Sequence, residues 1–387
     1  MQHVSLSLLA FVLIAPIGTT VCAQDGTEPA SARSMLERFE LESGEESRPT
    51  TIEGRVVITA PDGVLVEDRR SALWTIKTDQ LKSREATDTP FSLFSAEQHA
   101  KLLLAELGDG FRIQESDHYL IAFNTPPAYA EWCSGLLEKF YTGFFAYWKK
   151  HLNMELPEPD SKLVVVLFRD QVQFKQFYEQ DVGQKTQSSF GYYSIRRNRA
   201  VMHDFSGLDE DDATDVGSVR RALKKSPFNV ATMVHEATHQ LCFNTGLHTR
   251  YADNPVWLTE GLAMYFEAPY FGSAKWNTIG RYTDWRKAAT KAYKDNVSAG
   301  TLASLMQSDD RFRKAESVND AYTEAWALTL YLMKIRKGEF AEYLKAVSEK
   351  TPLVWDKPVQ RLELLKKTIG SPDDLAGPVK AFLKRRF

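Results

Sequence analysis

The sequence predicts an α+β protein with a small N-terminal β-module, a mixed-sheet lobe and a mostly helical C-terminal lobe. Two β-rich runs flank the turn signal at 61–63, a continuous apolar strand occupies 163–168, and helical periodicity dominates after about residue 228. Strands that precede a long run of helices are typical of α+β architecture. The 387 residues are enough for two or three compact units.

The first 50 residues are predicted to lie outside the folded core. Residues 4–16 form an uncharged apolar run of the length of a signal-peptide core, and small residues precede a predicted cut after Ala23. An uncleaved membrane anchor is the alternative. Residues 24–50 are rich in Ser, Glu, Thr and Arg and predict a disordered linker, with a short helix at 34–41 as an option. We therefore expect an exported protein, periplasmic or extracellular, without stable membrane insertion after signal cleavage.

The next two units are predicted from strand and helix periodicity. Residues 51–85 read as a small antiparallel β-module, because β-rich runs alternate with turn signals. Residues 90–227 read as a mixed α/β lobe, and an acidic stretch at 209–215 with a basic one at 220–225 predicts a solvated loop at its end. The elements expected in this lobe are helices at 95–107 (capped by Ser95), 128–152 and 171–178, and strands at 111–113, 119–123, 163–168, 190–194 and 199–203.

Residues 228–387 predict a helical lobe. Helices are expected at 228–244, after Asn254-Pro255, and at 284–295, 301–307, 321–337, 339–349, 358–368 and 373–384. The net charge of −3 gives no indication of a nucleic-acid partner. Cys133 and Cys242, which remain after signal removal, are interpreted as buried free thiols, with a disulfide as the alternative.

The first helix of this lobe contains a His-Glu-x-x-His motif at 235–239. Residues four apart lie on one face of a helix, so His235 and His239 can present two imidazoles to one metal ion. Glu236 is placed to act as a general base at the edge of the same site. Two histidines and a nearby carboxylate are typical of a zinc hydrolase, which usually needs a third protein ligand.

Three residues are candidates for that third ligand. A third histidine six residues after the motif is excluded, because Thr245 occupies that position. Glu260, on the next helix, is favoured because the small Gly261 and Ala263 let two helices approach closely. Glu267, seven residues on and on the same face, is the competitor, and His248 is a further option from the intervening loop.

The motifs resemble those of the gluzincin superfamily of zinc metallopeptidases, most of all its thermolysin and aminopeptidase N branch. More narrowly, the chain is similar to a bacterial secreted family of uncharacterised domains with such a core. The similarity covers roughly 90–385 and is carried by His-Glu-Ala-Thr-His-Gln-Leu at 235–241, Pro-Val-Trp-Leu-Thr-Glu-Gly-Leu-Ala at 255–263 and Tyr-Thr-Glu-Ala-Trp-Ala-Leu at 322–328.

The resemblance implies one zinc ion held by His235, His239 and Glu260, with Glu236 as general base for hydrolysis of a peptide or protein substrate. The zinc cleft would lie between the two lobes. Tyr322 is the candidate oxyanion donor, with an ordinary core tyrosine as the alternative. The strand at 200–203 is expected to hold the substrate backbone by strand addition.

Two departures from the family pattern limit what can be carried over. Met264 stands where thermolysin has an acidic residue that supports a zinc histidine, so the supporting groups must come from elsewhere, with Asp253 as one option. The amine-binding motif of aminopeptidase N is missing before the zinc helix, so no aminopeptidase specificity is expected. The rival hypothesis is a binding domain that keeps the peptidase-like fold, either stabilised by zinc or free of metal, and does not cleave peptides.

Overall fold

The computed structural model describes residues 34–42, 50–183, 190–272 and 276–387. It has the expected α+β architecture, with strands concentrated in the N-terminal half and helices in the C-terminal half. The predicted signal segment at 1–23 lies outside the described residues. Within the described ranges, no helix is both long enough and apolar enough to cross a membrane.

The N-terminal module is a five-stranded antiparallel sheet. Its strands are β1 (Met35–Leu41), β2 (Thr51–Ala60), β3 (Gly63–Asp68), β4 (Leu73–Lys77) and β5 (Leu81–Pro90). The spatial order is β4-β3-β2-β1-β5. A separate apolar cluster that includes Phe39, Val66 and Trp74 stabilises this sheet from one face.

The prediction of a linker over 24–50, with an optional helix at 34–41, is wrong for Met35–Leu41. These residues form an inner strand that pairs with both β2 and β5. Leu36, Phe39 and Leu41 are buried, but they stand among charged residues, so the local composition resembles a linker. The pairing partners lie far along the chain, and no local pattern shows them. Of the rest of the predicted linker, the structure describes only residues 34, 42 and 50.

The second sheet is mixed, as predicted. Its elements, in chain order, are α1 (Ala96–Leu107), β6 (Arg112–Glu115), β7 (Tyr119–Phe123), α2 (Pro127–Leu152), β8 (Leu163–Phe168), α3 (Gln171–Val182), β9 (Gly191–Ser194) and β10 (Arg199–His203). The order is β6-β7-β8-β10-β9, with β7, β8 and β10 parallel and the two outer strands antiparallel.

The strand order corrects one expectation. The strand expected to hold a peptide backbone, at 200–203, is part of β10, which is paired on both sides and has no free edge. Strand β9 is the edge strand on that side of the sheet.

The remaining elements are helical. They are α4 (Val216–Leu223), α5 (Pro227–Asn244), α6 (Val256–Phe266), α7 (Asp284–Tyr293), α8 (Ala299–Gln307), α9 (Asp310–Arg313), α10 (Val318–Ile335), α11 (Lys337–Ser348), α12 (Pro358–Thr368) and α13 (Pro372–Arg386). The prediction of a solvated loop before α5 is wrong for Val216–Leu223, because these residues form helix α4. Asp215 caps α4, and Val219 and Leu223 bury its apolar stripe, which the surrounding charges hide in the sequence.

One apolar cluster runs from Tyr119 on the mixed sheet to Leu383 on the last helix. The sheet and the C-terminal helices therefore share a core. Cys133 and Cys242 lie in this core as buried free thiols. The β-module is attached through polar contacts, chiefly those of Arg250, whose guanidinium group donates to Glu67 Oε1 (3.0 Å) and to the Ser71 carbonyl oxygen (2.7 Å).

Candidate metal centre

Helix α5 is the element that presents the histidine pair. Pro227 occupies its first turn, where a missing N–H costs nothing, and Gly246 adopts φ +71° just beyond its end, which ends the helix. The Gln240 side-chain amide donates to the Val164 carbonyl oxygen at 2.8 Å and ties the helix to strand β8. His235 and His239 are therefore held on a rigid, almost fully buried helix.

Helix α6 brings Glu260 to the same point. It follows Asn254-Pro255, as predicted, and all of its residues are buried. Gly261 is needed for a close helix contact, because a Cβ atom there would lie 2.1 Å from Thr329 Oγ1 and 2.9 Å from the Ala325 carbonyl oxygen. The close helix approach expected at Gly261 is therefore made between α6 and α10.

His235, His239 and Glu260 converge with their ligand atoms within 4.8 Å of one another. The two Nε2 atoms are 3.1 Å apart, and Glu260 Oε2 and Oε1 lie 3.3 Å from His235 Nε2 and 3.5 Å from His239 Nε2. Ligands bound tetrahedrally to zinc at its usual bond lengths are separated by about 3.3 Å. Among the described residues this is the one group of His, Cys, Asp or Glu side chains that can hold a metal ion. Its donor set and spacing fit zinc.

The charges of this group are strongly coupled. Burial by itself lowers the pKa of His235, but hydrogen bonds with Glu260 and Glu267 outweigh burial and raise that pKa to about 10. Burial raises the pKa of Glu260, but hydrogen bonds from both imidazoles lower it to about 2. The buried Glu260 carboxylate is thus paired with a protonated imidazole, and a bound metal cation would take the place of that proton.

Glu236 lies beside the triad on α5 and is buried. Burial, with a smaller contribution from the charge of Glu260, raises the pKa of its carboxyl group. The backbone N–H of Tyr193, on edge strand β9, donates to this carboxylate. Its Oε1 atom has no hydrogen-bond partner among the residues that the structure describes. A carboxylate with a raised pKa and an unused oxygen is suited to accept a proton.

Glu267 supplies the supporting contact that the sequence left open. Its Oε2 atom lies 3.4 Å from His235 Nδ1, on the far side of the imidazole from Glu260. Arg286 donates to Glu267 through Nε (2.8 Å) and Nη2 (3.0 Å), and the Trp285 indole N–H adds a contact of 3.3 Å. Glu267 therefore orients His235 and does not join the three converging ligand atoms. In the sequence, the only sign that Glu267 belongs to the site is that it shares a helix face with Glu260. That pattern suggested a competing metal ligand and not a support for His235.

Tyr322, at the start of α10, reaches the triad from the opposite helix. Burial raises the pKa of its hydroxyl group well above the usual range, and the charges of Glu260 and Glu236 and a hydrogen bond to Glu260 raise it further. The Tyr322 ring also packs on Phe312, with ring centroids 5.3 Å apart. Tyr322 therefore lies at the site, as an oxyanion donor must, and also packs against the core, as an ordinary core tyrosine does.

Two other candidates lie outside the ligand group. Burial lowers the pKa of His248 to about 3, and neither of its ring nitrogens has a hydrogen-bond partner among the described residues. It is not one of the converging ligands. Asp253 was considered as a support for the zinc histidines, and this expectation is wrong. Asp253 is paired with Arg361 and with Lys350 (2.9 Å).

The fold and the triad define a class of protein: an α+β chain with a buried site of two histidines and one glutamate for a metal ion. Residues 229–354 match a family described as "Protein of unknown function (DUF1570)". The matched segment contains the triad, Glu236, Glu267 and Tyr322. A search of curated proteins finds no match to the chain.

Proposed function

We propose that the protein is an exported zinc metallopeptidase of gluzincin type. The observation that supports this proposal most strongly is the convergence of His235, His239 and Glu260 beside a buried Glu236. A site that only stabilises a fold needs no general base, so Glu236 favours catalysis over the rival binding domain. Export rests on the sequence of the first 23 residues.

The metal would be held by His235, His239 and Glu260, and when bound it would supply the Lewis acidity that activates water and polarises a carbonyl group. Glu236 takes a proton from the attacking water and passes it to the leaving amine, for which its raised pKa is suited. Tyr322 donates a hydrogen bond to the carbonyl oxygen as negative charge develops on it.

Strand β9 is the candidate for holding the peptide backbone. It is the edge strand on the side of the sheet next to α5, and its Tyr193 N–H contacts Glu236. A peptide bound along it would lie next to the general base.

The test is a peptide-library digest with the mature protein loaded with zinc, compared with Glu236→Gln and Glu260→Ala. We expect the wild type to bind one equivalent of zinc and to cleave peptides. Glu236→Gln should retain zinc and lose cleavage, and Glu260→Ala should lose both. Stoichiometric zinc with equal or absent cleavage in wild type and Glu236→Gln supports the binding domain, and a wild type without zinc refutes the metal site.

A further inference from the structure

One buried asparagine joins three separate parts of the fold. Asn198 lies in the turn between β9 and β10 and is 8% exposed. Its NH₂ group donates to Ser71 Oγ (3.2 Å) and to Asn244 Oδ1 (2.8 Å). Its Oδ1 atom accepts from the Tyr193 hydroxyl group (2.6 Å) and from Asn244 Nδ2 (2.7 Å). The side chain therefore ties the β-module to strand β9 and to the end of α5, and both its donor and its acceptor groups are used.

The β-module contacts this hairpin turn through groups that are themselves held in place. The Leu73 N–H, on β4, donates to the Arg196 carbonyl oxygen in the turn at 2.7 Å. The Ser71 hydroxyl group donates to Glu67 Oε1 (2.7 Å) and accepts from Arg250 Nη2 (3.0 Å). The module therefore presents a fixed hydroxyl group and a backbone N–H to the β9–β10 hairpin.

The hairpin matters because strand β9 borders the proposed general base. The Tyr193 N–H donates to the Glu236 carboxylate, and a Cβ atom on Gly191 would lie 3.5 Å from Glu236 Cγ. Strand β9 has four residues and lies at the edge of the sheet, where it pairs with β10 along one side. A short strand paired along one side depends on contacts at its ends for its position. Asn198 makes such contacts just after β9 ends.

The turn itself does not require the asparagine side chain. Asn198 adopts φ +53° and Ser71 adopts φ +62°, both in the left-handed region. Glycine enters this region more readily than any residue with a side chain. Backbone geometry therefore leaves the Asn198 amide group unexplained, whereas its hydrogen bonds to three segments give it a role beyond forming the turn.

We propose that Asn198 is a positioning residue, which holds the Tyr193 N–H against Glu236 by linking strand β9 to the β-module and to α5. Its effect on catalysis rests on the proposed peptidase function. The N–H fixes the carboxylate while Glu236 Oε1, which has no hydrogen-bond partner among the described residues, stays available for the proton of water. A displacement of a catalytic group by about 1 Å can cost about a hundredfold in rate. The β-module, remote from the triad in sequence, thereby contributes to the site.

The experiment compares Asn198→Gly with the wild type in the zinc-loaded mature protein. Glycine keeps the backbone conformation and removes the side chain, so the variant reports the lost hydrogen bonds and not a strained turn. We expect amide hydrogen exchange of β9, followed by mass spectrometry, to become about tenfold faster, while exchange of β8 changes less than about twofold. We expect kcat for peptide cleavage, counted per bound zinc, to fall about tenfold.

Ser71→Gly is the second variant and tests the contribution of the β-module. It should change both measurements in the same direction by about threefold, because Asn198 keeps its bonds to Tyr193 and Asn244. Asn153→Gly is the matched control, since Asn153 has φ +55° at the exposed end of α2. It should leave both measurements unchanged.

Unchanged exchange of β9 in Asn198→Gly, or equally faster exchange of β8 and β9, overturns the positioning role and leaves the peptidase proposal intact. Faster exchange of β9 with unchanged kcat per bound zinc also overturns it. A wild type that cleaves no library peptide, with Glu236→Gln no different, overturns the peptidase proposal and the catalytic effect of Asn198 with it. The exchange of β9 then still decides whether Asn198 holds the strand.

Discussion

Replacing Glu267 by Gln tests whether the carboxylate behind His235 controls metal binding. Gln keeps an oxygen that can accept from Arg286 Nε, but it places an NH₂ group where Oε2 now lies 3.0 Å from Arg286 Nη2 and 3.4 Å from His235 Nδ1. An acceptor is thus replaced by a donor that faces two donors. Loss of such a supporting carboxylate costs about 10- to 100-fold in metal affinity. The 3.4 Å contact is long for a hydrogen bond, so we expect about tenfold, or about 1.4 kcal/mol.

The assay is competition for zinc against a chromogenic chelator at constant pH. It needs a folding control, because Gln also leaves the buried Arg286 without its counter-charge. Glu324→Gln is a suitable match: Glu324 is equally buried and pairs with Arg311 at 2.5 Å, away from the ligand atoms. We expect both variants to lose stability and only Glu267→Gln to lose zinc affinity. Zinc affinity of folded Glu267→Gln within twofold of wild type, or an equal loss in Glu324→Gln, refutes the orienting role.

Three further predictions concern stability. Gly261→Ala places a methyl group 2.1 Å from Thr329 Oγ1, so we expect a loss of about 1–3 kcal/mol in urea denaturation, with weaker zinc retention because Glu260 is adjacent. Burial raises the pKa of Asp204 to about 6. Stability from its protonated form is therefore present below about pH 4 and lost as the pH rises to 6, and Asp204→Asn should raise the unfolding free energy by about 3 kcal/mol at pH 8 but not at pH 4. Arg250→Met breaks the buried pair with Glu67 and should cost on the order of 3 kcal/mol.

The controls for these variants use sites of the same chemistry in open surroundings. Gly135→Ala, where a Cβ atom would meet nothing within 4 Å, should be neutral or stabilising. Arg38→Met removes an exposed pair with Glu53 and should leave the unfolding free energy almost unchanged. Equal losses in a variant and its control, or an Asp204→Asn effect that does not depend on pH, would contradict the reasoning.

The parts of the fold that were predicted correctly are those that local patterns determine. Helix α2 shows its helical periodicity, and strand β8 its continuous apolar run, within a single stretch, and the cap at Ser95 is made within four residues. Strand β1 was missed because its burial depends on two partners that lie elsewhere in the chain. Helix α4 was missed because it is short, charged stretches flank it, and its apolar stripe consists of few residues.

The same distinction applies to the candidate site. Helical spacing alone places His235 and His239 on one face, and the structure brings both together with Glu260. That spacing also puts Glu260 and Glu267 on one face of α6, so it could not decide between them.

The structure shows that α6 passes His235 with one carboxylate at each ring nitrogen: Glu260 at Nε2 and Glu267 at Nδ1. Glu260 and Glu267 are two helical turns apart, about 10 Å along the axis, and the imidazole between their carboxylates lets one act on the metal side while the other fixes the ring. The role of Glu267 further depends on Arg286, which reaches it from α7 through packing between helices that are distant in sequence. A ligand and its supporting group can therefore share one sequence pattern and differ only in which nitrogen of the histidine they meet.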